Sequence, residues 1–220
     1  MATGIGQYGF GHKAWRYADA GKYYTATIGG TPGTGIISGV TTALVNTTPY
    51  IFFYNGNTAL SGIKCYLDQL FLHCTVIGAS ESRLEATFQL DPTQGVSQYT
   101  SGATLLTPTN VNSDSAASSA VVLRVGAVVC VAAATRNVWH TTMSTAIPLV
   151  EDQWAWDFGG ASGFHGGGNV IADSSSTGHH RQFMAPPIVV GPGETFRFNT
   201  WGASMGTGVT FAGNLSWVEV

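Results

Sequence analysis

Tyr66 to Leu90 reads YLDQLFLHCTVIGASESRLEATFQL, two runs of β-forming residues parted by the small and polar Gly78-Ala79-Ser80-Glu81-Ser82. In the second run Leu84, Ala86, Phe88 and Leu90 alternate with Glu85, Thr87 and Gln89. That period of two predicts a half-buried strand, one face on a core and the other in water. The first run is apolar on both sides, Leu70, Leu72, Cys74 and Val76 against Phe71, Thr75 and Ile77, so a central strand covered on both faces is expected. The intervening turn residues either make the two runs an antiparallel pair or carry the chain across to a facing sheet.

Downstream of this stretch, Val96 to Pro108 reads as a short polar strand and loop, and Asn110 to Ser119 as a loop rich in Ser, Asn and Asp. Val121 to Val131 is long and apolar enough for a covered central strand, or for two short ones bent at Gly126. Ala132 to His140 is ambiguous and compatible with one helical turn. Gln153 to Phe158 is a short aromatic strand, with Trp154, Trp156 and Phe158 on one core-facing side. Gly159 to Arg181 contains Gly166-Gly167-Gly168, Ser174-Ser175-Ser176 and His179-His180 without periodicity, which predicts a long exposed loop. After the turn Gly191-Pro192-Gly193, Phe196 and Phe198 alternate with Thr195, Arg197 and Asn199, another half-buried strand. Asn214 to Val220 reads as a strand paired up to the end of the sequence. About eight strands with long loops and no helical period favour an all-β, jelly-roll-like two-sheet sandwich over residues 62–220.

Upstream, residues 1–61 are rich in Gly, Thr and Ala and read as an extended N-terminal arm with short strands at Tyr23 to Ile28 and Tyr50 to Tyr54, the second followed by the tight-turn signal Asn55-Gly56. Its aromatic residues set it apart from a disordered tail. The arm is expected to order by packing on the main domain, a sister subunit or a separate partner. Tyr8, Phe10, Trp15, Tyr17 and Tyr23 are the candidate contact residues.

Composition narrows the function. Charged residues make up 10% of the chain, well below the roughly 25% of ordinary soluble domains, and a surface so poor in charge suits contact with other protein. Nine Lys plus Arg against 12 Asp plus Glu, a net charge of −3, leave no cationic footprint for nucleic acid. No apolar run is long enough to span a bilayer. The opening MATGIGQYGFGHKAW lacks the charged start and apolar middle of a signal peptide, so folding in the cytoplasm is expected. Cys65, Cys74 and Cys130 are an odd set in strand-like runs and read as buried, reduced thiols.

No reactive constellation stands out, and no catalytic, cofactor-binding or metal residue is assigned; the chain reads as a non-enzyme. Gly4-Ile5-Gly6-Gln7-Tyr8-Gly9 matches the dinucleotide glycine pattern in letters but lacks the strand before it and the helix after it. Gly202-Ala203-Ser204-Met205-Gly206 matches a nucleophile elbow, yet no histidine follows Ser204. His165, His179, His180 and Asp173 are metal-ligand types without a second paired motif, and read as exposed or interface residues. Trp154, Trp156 and Asp157 could stack on a sugar, but core packing explains the tryptophans better. The spacing of Asp152 and Asp157 gives no catalytic pair.

Tyr66-Leu67-Asp68-Gln69-Leu70, Leu90-Asp91, Ser101-Gly102 with Thr107-Pro108-Thr109-Asn110, Phe158-Gly159, the block PPIVVGPG from Pro186 to Gly193 and Leu215-Ser216-Trp217-Val218-Glu219 follow one another between Lys64 and Val220. In that order they resemble a group of tailed-bacteriophage virion proteins. The resemblance implies a jelly-roll decoration, or cement, protein on the outer capsid surface, a homotrimer made in the host cytoplasm whose N-terminal arm binds the major capsid protein. The rival reading is a receptor- or glycan-binding sandwich of the tail or fibre, with Trp154 and the His-containing loop as its contact surface.

Overall fold

The computed structural model of the chain describes residues 13–29, 31, 33–78, 83–94, 98–145, 148–159, 180–202 and 207–220. These carry one α-helix, α1 (Lys13–Asp19), a 3-10 turn at Ala59–Ser61, and strands β1 (Tyr23–Ile28), β2 (Ile36–Ile37), β3 (Ile51–Asn55), β4 (Cys65–Val76), β5 (Leu84–Asp91), β6 (Tyr99–Leu106) and β7 (Thr109–Asn110). The remaining strands are β8 (Val121–Cys130), β9 (Arg136–Ser144), β10 (Gln153–Phe158), β11 (His180–Ala185), β12 (Val189–Val190), β13 (Thr195–Trp201) and β14 (Thr210–Glu219).

The chain is an all-β, jelly-roll-like sandwich of two sheets. One sheet runs β11-β10-β4-β14-β1-β7, with β12 on β4 and β2 on β14; the other runs β6-β8-β3-β13-β5-β9. β10 and β11 pair in parallel. Period-two apolar side chains meet between the sheets in a single large core. Phe88 of β5 sits at its centre, with ring centroids 5.8 Å from Trp156 and 5.5 Å from Phe158 of the facing sheet, and 5.1 Å from Phe198 beside it. Phe53 meets Trp217 across the sandwich at 5.3 Å. Such edge-on and tilted pairs add to the burial of aromatic area. Trp154, Trp156 and Phe158 are core residues, as expected.

The two runs of the Tyr66–Leu90 stretch take opposite roles from those their patterns predict. They do not pair: β4 lies in one sheet and β5 in the other, so the chain crosses the sandwich between them. β4 is a central strand but is covered on one face only, and Phe71 and His73 on its outer side are half-buried. β5 is covered on both. Glu85, Thr87 and Gln89, expected in water, are buried, and so are Asp91 and, on the outer side of β13, Arg197 and Asn199.

A hydrogen-bonded polar layer explains the difference. Residues 38–48 cross the outer side of β13 as a strap, tied by Ser38 N to Val209 O at 2.8 Å, Gly202 N to Thr41 O at 3.0 Å and Cys130 N to Thr47 O at 2.9 Å. Beneath it the guanidinium of Arg197 donates to Asn46 O (3.1 Å), Thr135 Oγ1 (2.8 Å), Val131 O (2.6 Å) and Asp91 Oδ2 (3.0 Å). Gln89 Nε2 donates to Asn46 and Asn137, and Asn199 Nδ2 to Gln89. Buried polar groups are tolerated when bonded in this way.

The division expected at residue 61 does not follow the sheets. β1, β2 and β3 all belong to the sandwich, and β3 lies between β8 and β13. From Tyr23 onward the expected arm therefore packs on the main domain, because its strands complete both sheets. Asn55, at the end of β3, is fully buried and donates to Ile63 O and Val190 O, pinning the turn that follows. Three further expectations are corrected. Val96 to Pro108 holds the full-length β6, and Ala132 to His140 contributes to β9, where pairing with β5 overrides a weak local pattern. Of the expected loop from Gly159 to Arg181, His180 and Arg181 begin β11, while residues 160–179 lie outside those described.

Replacing Arg197 by methionine leaves the Asp91 carboxylate buried without its countercharge, so a loss of about 3 to 5 kcal/mol is expected in urea unfolding at neutral pH. A loss well under ~1 kcal/mol would mean that the strap closes without it. Burial raises the Asp91 carboxyl, but hydrogen bonds from Thr93 and the Ala134 amide and the charge of Arg197 outweigh burial and hold it below the usual value. A depressed folded pKa stabilises the fold above the unfolded value of about 3.9, and that contribution disappears as pH falls through the folded value. Asp91→Asn is expected to remove this part of the acid sensitivity, measured by unfolding between neutral pH and about pH 2.

Candidate functional site

α1 lies against the outer face of the eight-stranded sheet, and its C-terminal end fixes it there. Gly21 has φ 66°, and a Cβ at that position would meet Ser115 Oγ at 2.3 Å, so glycine lets the helix stop against the 110–117 loop. Asn110 Nδ2 donates to Gly21 O at 2.9 Å and Asn112 Nδ2 to Asp19 O at 3.0 Å, satisfying carbonyls the helix end leaves open. Lys22 N donates to Tyr17 O at 2.7 Å.

Two hollows flank the helix. Ala14 and Tyr17, with Tyr66, Phe158, Pro187 and Val218, border one of about 440 Å³. Ala14, Trp15, Ala18, Tyr23 and Val111 border the other, of about 290 Å³. Trp15 is 72% exposed, and Tyr66, Val111, Val189 and Val220 are further exposed apolar side chains around the two hollows. An apolar patch of this kind marks a protein contact surface.

Of the five contact residues expected from sequence, Trp15, Tyr17 and Tyr23 gather here, while Tyr8 and Phe10 lie outside the described residues. Their roles differ. Trp15 is largely exposed, Tyr17 borders the larger hollow, and Tyr23 is a structural anchor whose hydroxyl donates to Asp68 Oδ2 at 2.5 Å. Asp68 reaches Tyr23 because β4 carries one residue more than β14 at this point: Ser216 pairs with Gln69 and Trp217 with Leu67. The bulge re-aims the extra side chain. It also leaves Tyr66 on the outer side, a placement that alternation along the strand does not foretell. Val111 is the lone large apolar residue of the Ser, Asn and Asp tract from Asn110 to Ser119 and lies exposed beside Trp15 and Tyr23.

Of the chemistry considered from sequence, the buried Trp154 and Trp156 offer no stacking platform. Asp152 Oδ2 accepts from Leu149 N at 2.9 Å within its turn, whereas Asp157 accepts from Gln69 and Gln182 on the outer face of the sheet. His180 stands exposed on β11; the Gly4–Gly9 pattern, Ser204, His165, Asp173 and His179 lie outside the described residues. Among the described residues no three His, Cys, Asp or Glu side chains cluster as metal ligands, and no helix is long and apolar enough to cross a membrane. Cys65, Cys74 and Cys130 are buried.

Fold and surface together define a β-sandwich with an exposed apolar surface around a short helix. Comparison with protein-family models, with curated proteins and with solved structures finds no match in any of the three.

Burial, with the hydrogen bond to Asp68, pushes the Tyr23 hydroxyl from 10.0 up to about 12. A raised folded pKa stabilises the fold fully below the unfolded value, and that contribution is lost as pH rises toward the folded one. Alkaline titration followed by tyrosinate absorbance is expected to show Tyr23 among the late-ionising tyrosines with the buried Tyr24 and Tyr50, one fewer late-ionising group in Tyr23→Phe, and a downward shift of one in Asp68→Asn. A profile that Tyr23→Phe leaves unchanged would refute the assignment.

Proposed function

We propose that the chain is a structural virion protein of a tailed bacteriophage, a decoration protein on the outer capsid surface that joins neighbouring major capsid subunits and works as a homotrimer. The observation that carries the reading is the apolar surface around α1, with Trp15 72% exposed in a chain whose charged fraction is 10%. The ordered motifs from Lys64 to Val220, which resemble those of phage virion proteins, point the same way.

In this role α1 and the residues before it meet the major capsid protein. Apolar side chains of the shell fill the hollows beside Tyr17 and Tyr23, and Trp15 enters the shell surface. A buried aromatic anchor ringed by polar groups is the usual source of affinity at such contacts. The sandwich stays outside as a rigid body, braced by its aromatic core and the strap. Each copy would clamp a lattice joint after head expansion and so resist the outward pressure of packaged DNA.

The test uses purified heads with and without the protein. Complete heads are expected to survive heat and chelator better than heads lacking it, and to carry hundreds of copies each. Trp15→Ala is expected to weaken rebinding to bare heads by roughly 30-fold, as for a central aromatic anchor worth about 2 kcal/mol. Equal survival of both kinds of head, or a dozen copies or fewer located at the tail, would overturn the proposal.

A further inference from the structure

Beyond α1, the outer face of the eight-stranded sheet changes character. Gln182, Ala155, Phe71, Asn214 and Thr27 form one cross-strand row over β11, β10, β4, β14 and β1. Asp157, Gln69, Ser216 and Thr25 form the next, with Met184 at its β11 end. Their strand neighbours Trp154, Trp156, Leu70, Leu72 and Leu215 fill the core, so both rows point outward. The rows hold amides, hydroxyls and one carboxylate around a single half-buried aromatic ring, Phe71, and include no lysine or arginine.

These side chains are held before any ligand arrives. Gln69 Nε2 donates to Asp157 Oδ1 at 2.9 Å and Gln182 Nε2 to Asp157 Oδ2 at 2.6 Å, so one carboxylate orients two amides and leaves their oxygens as acceptors. His73 Nε2 is fixed by Glu151 Oε2 at 2.8 Å. Beside the Phe71 ring, Thr27, Gly33, His73 and Asn214 border a hollow of about 210 Å³.

We propose that this face is a binding platform for a neutral oligosaccharide, with Phe71 as the stacking ring and Gln69, Asp157, Gln182, His73 and Asn214 as the hydroxyl-binding groups. A pyranose ring offers an apolar C–H face and a rim of hydroxyls that each donate and accept. That is the complement of one aromatic ring among planar amides and a carboxylate. Side chains already locked by mutual hydrogen bonds lose little freedom on binding. Four strand spacings of roughly 4.8 Å give the first row a length near 19 Å, enough for a short oligosaccharide. An anionic sugar would find no cationic side chain in these rows. A protein partner would find no apolar centre, since Met184, the one exposed large apolar side chain here, stands at the margin on β11. The platform is separate from the α1 surface and does not depend on the capsid reading.

The full chain, labelled with ¹⁵N, is titrated with cellotetraose, maltotetraose, chitotetraose and lacto-N-tetraose. At least one is expected to bind saturably with a Kd of about 1 mM or tighter, with amide shifts centred on residues 69–73, 153–157 and 212–216. Gln182→Ala combined with Asn214→Ala changes only exposed side chains and should leave the unfolding midpoint in place while weakening binding at least about tenfold. Phe71→Ala should abolish binding in a protein that still gives a folded spectrum. The proposal is overturned if none of the four sugars at about 10 mM moves these resonances, or if the double variant binds as the wild type does. It is also overturned if Asn214→Arg converts an oligomer to monomer in sedimentation, since the face would then be a contact between copies.

Discussion

The buried ion pair of Arg197 and Asp91 is the constraint on which the six-stranded sheet depends. A guanidinium with no exposed surface needs partners for its donors, and here both terminal nitrogens find them on β5, on the strap at Asn46 and on the loop at Val131 and Thr135, while Nε is left without one. Asp91 in turn accepts from the backbone amides of Thr93, Ala133 and Ala134. Lifting either covering segment breaks hydrogen bonds to the buried pair. The sheet is thereby closed on both faces although its strands are amphipathic, and residues 38–48 are bound into the sandwich.

That closure is also what sequence could not reveal. Alternation in β5 and β13 reports which side chains are apolar: Leu84, Ala86, Phe88, Phe196 and Phe198 are core, and Leu90 packs against it partly buried. It does not report whether the polar set meets water. The pairing of Arg197 with Asp91 spans 106 residues and leaves no local trace. β9 was illegible for a related reason, since its Arg136, Asn137 and His140 become strand only through the register with β5. At the α1 surface, Trp15 and Tyr17 stood out as aromatic residues in a Gly-rich stretch. Tyr66 did not, because a one-residue bulge decided its side of the sheet.

The outer face of the eight-stranded sheet, by contrast, is split in two. Around α1 it is apolar and concave, and an aromatic side chain stands out from it. Over β10, β4 and β14 it is neutral and polar, with its amides already oriented. The first suits partners that gain by excluding water, as protein surfaces do; the second suits a ligand that keeps its hydroxyls bonded. One rigid body can therefore serve two partners of different chemistry without moving.

The sheet edges direct association toward these faces. β6, at one end of the six-stranded sheet, is interrupted by register shifts around Gly102 and Ala103, both with positive φ. β9, at the other end, has two shifts of its own and carries Arg136 and His140. In the eight-stranded sheet the end strands are the two-residue β7 and the polar β11, which begins His180-Arg181-Gln182. Irregular, short or charged edges discourage strand addition by another chain. Any protein partner would gain most by meeting the sandwich on the apolar ground around Trp15 and Tyr66, where area can be buried without breaking any strand pairing.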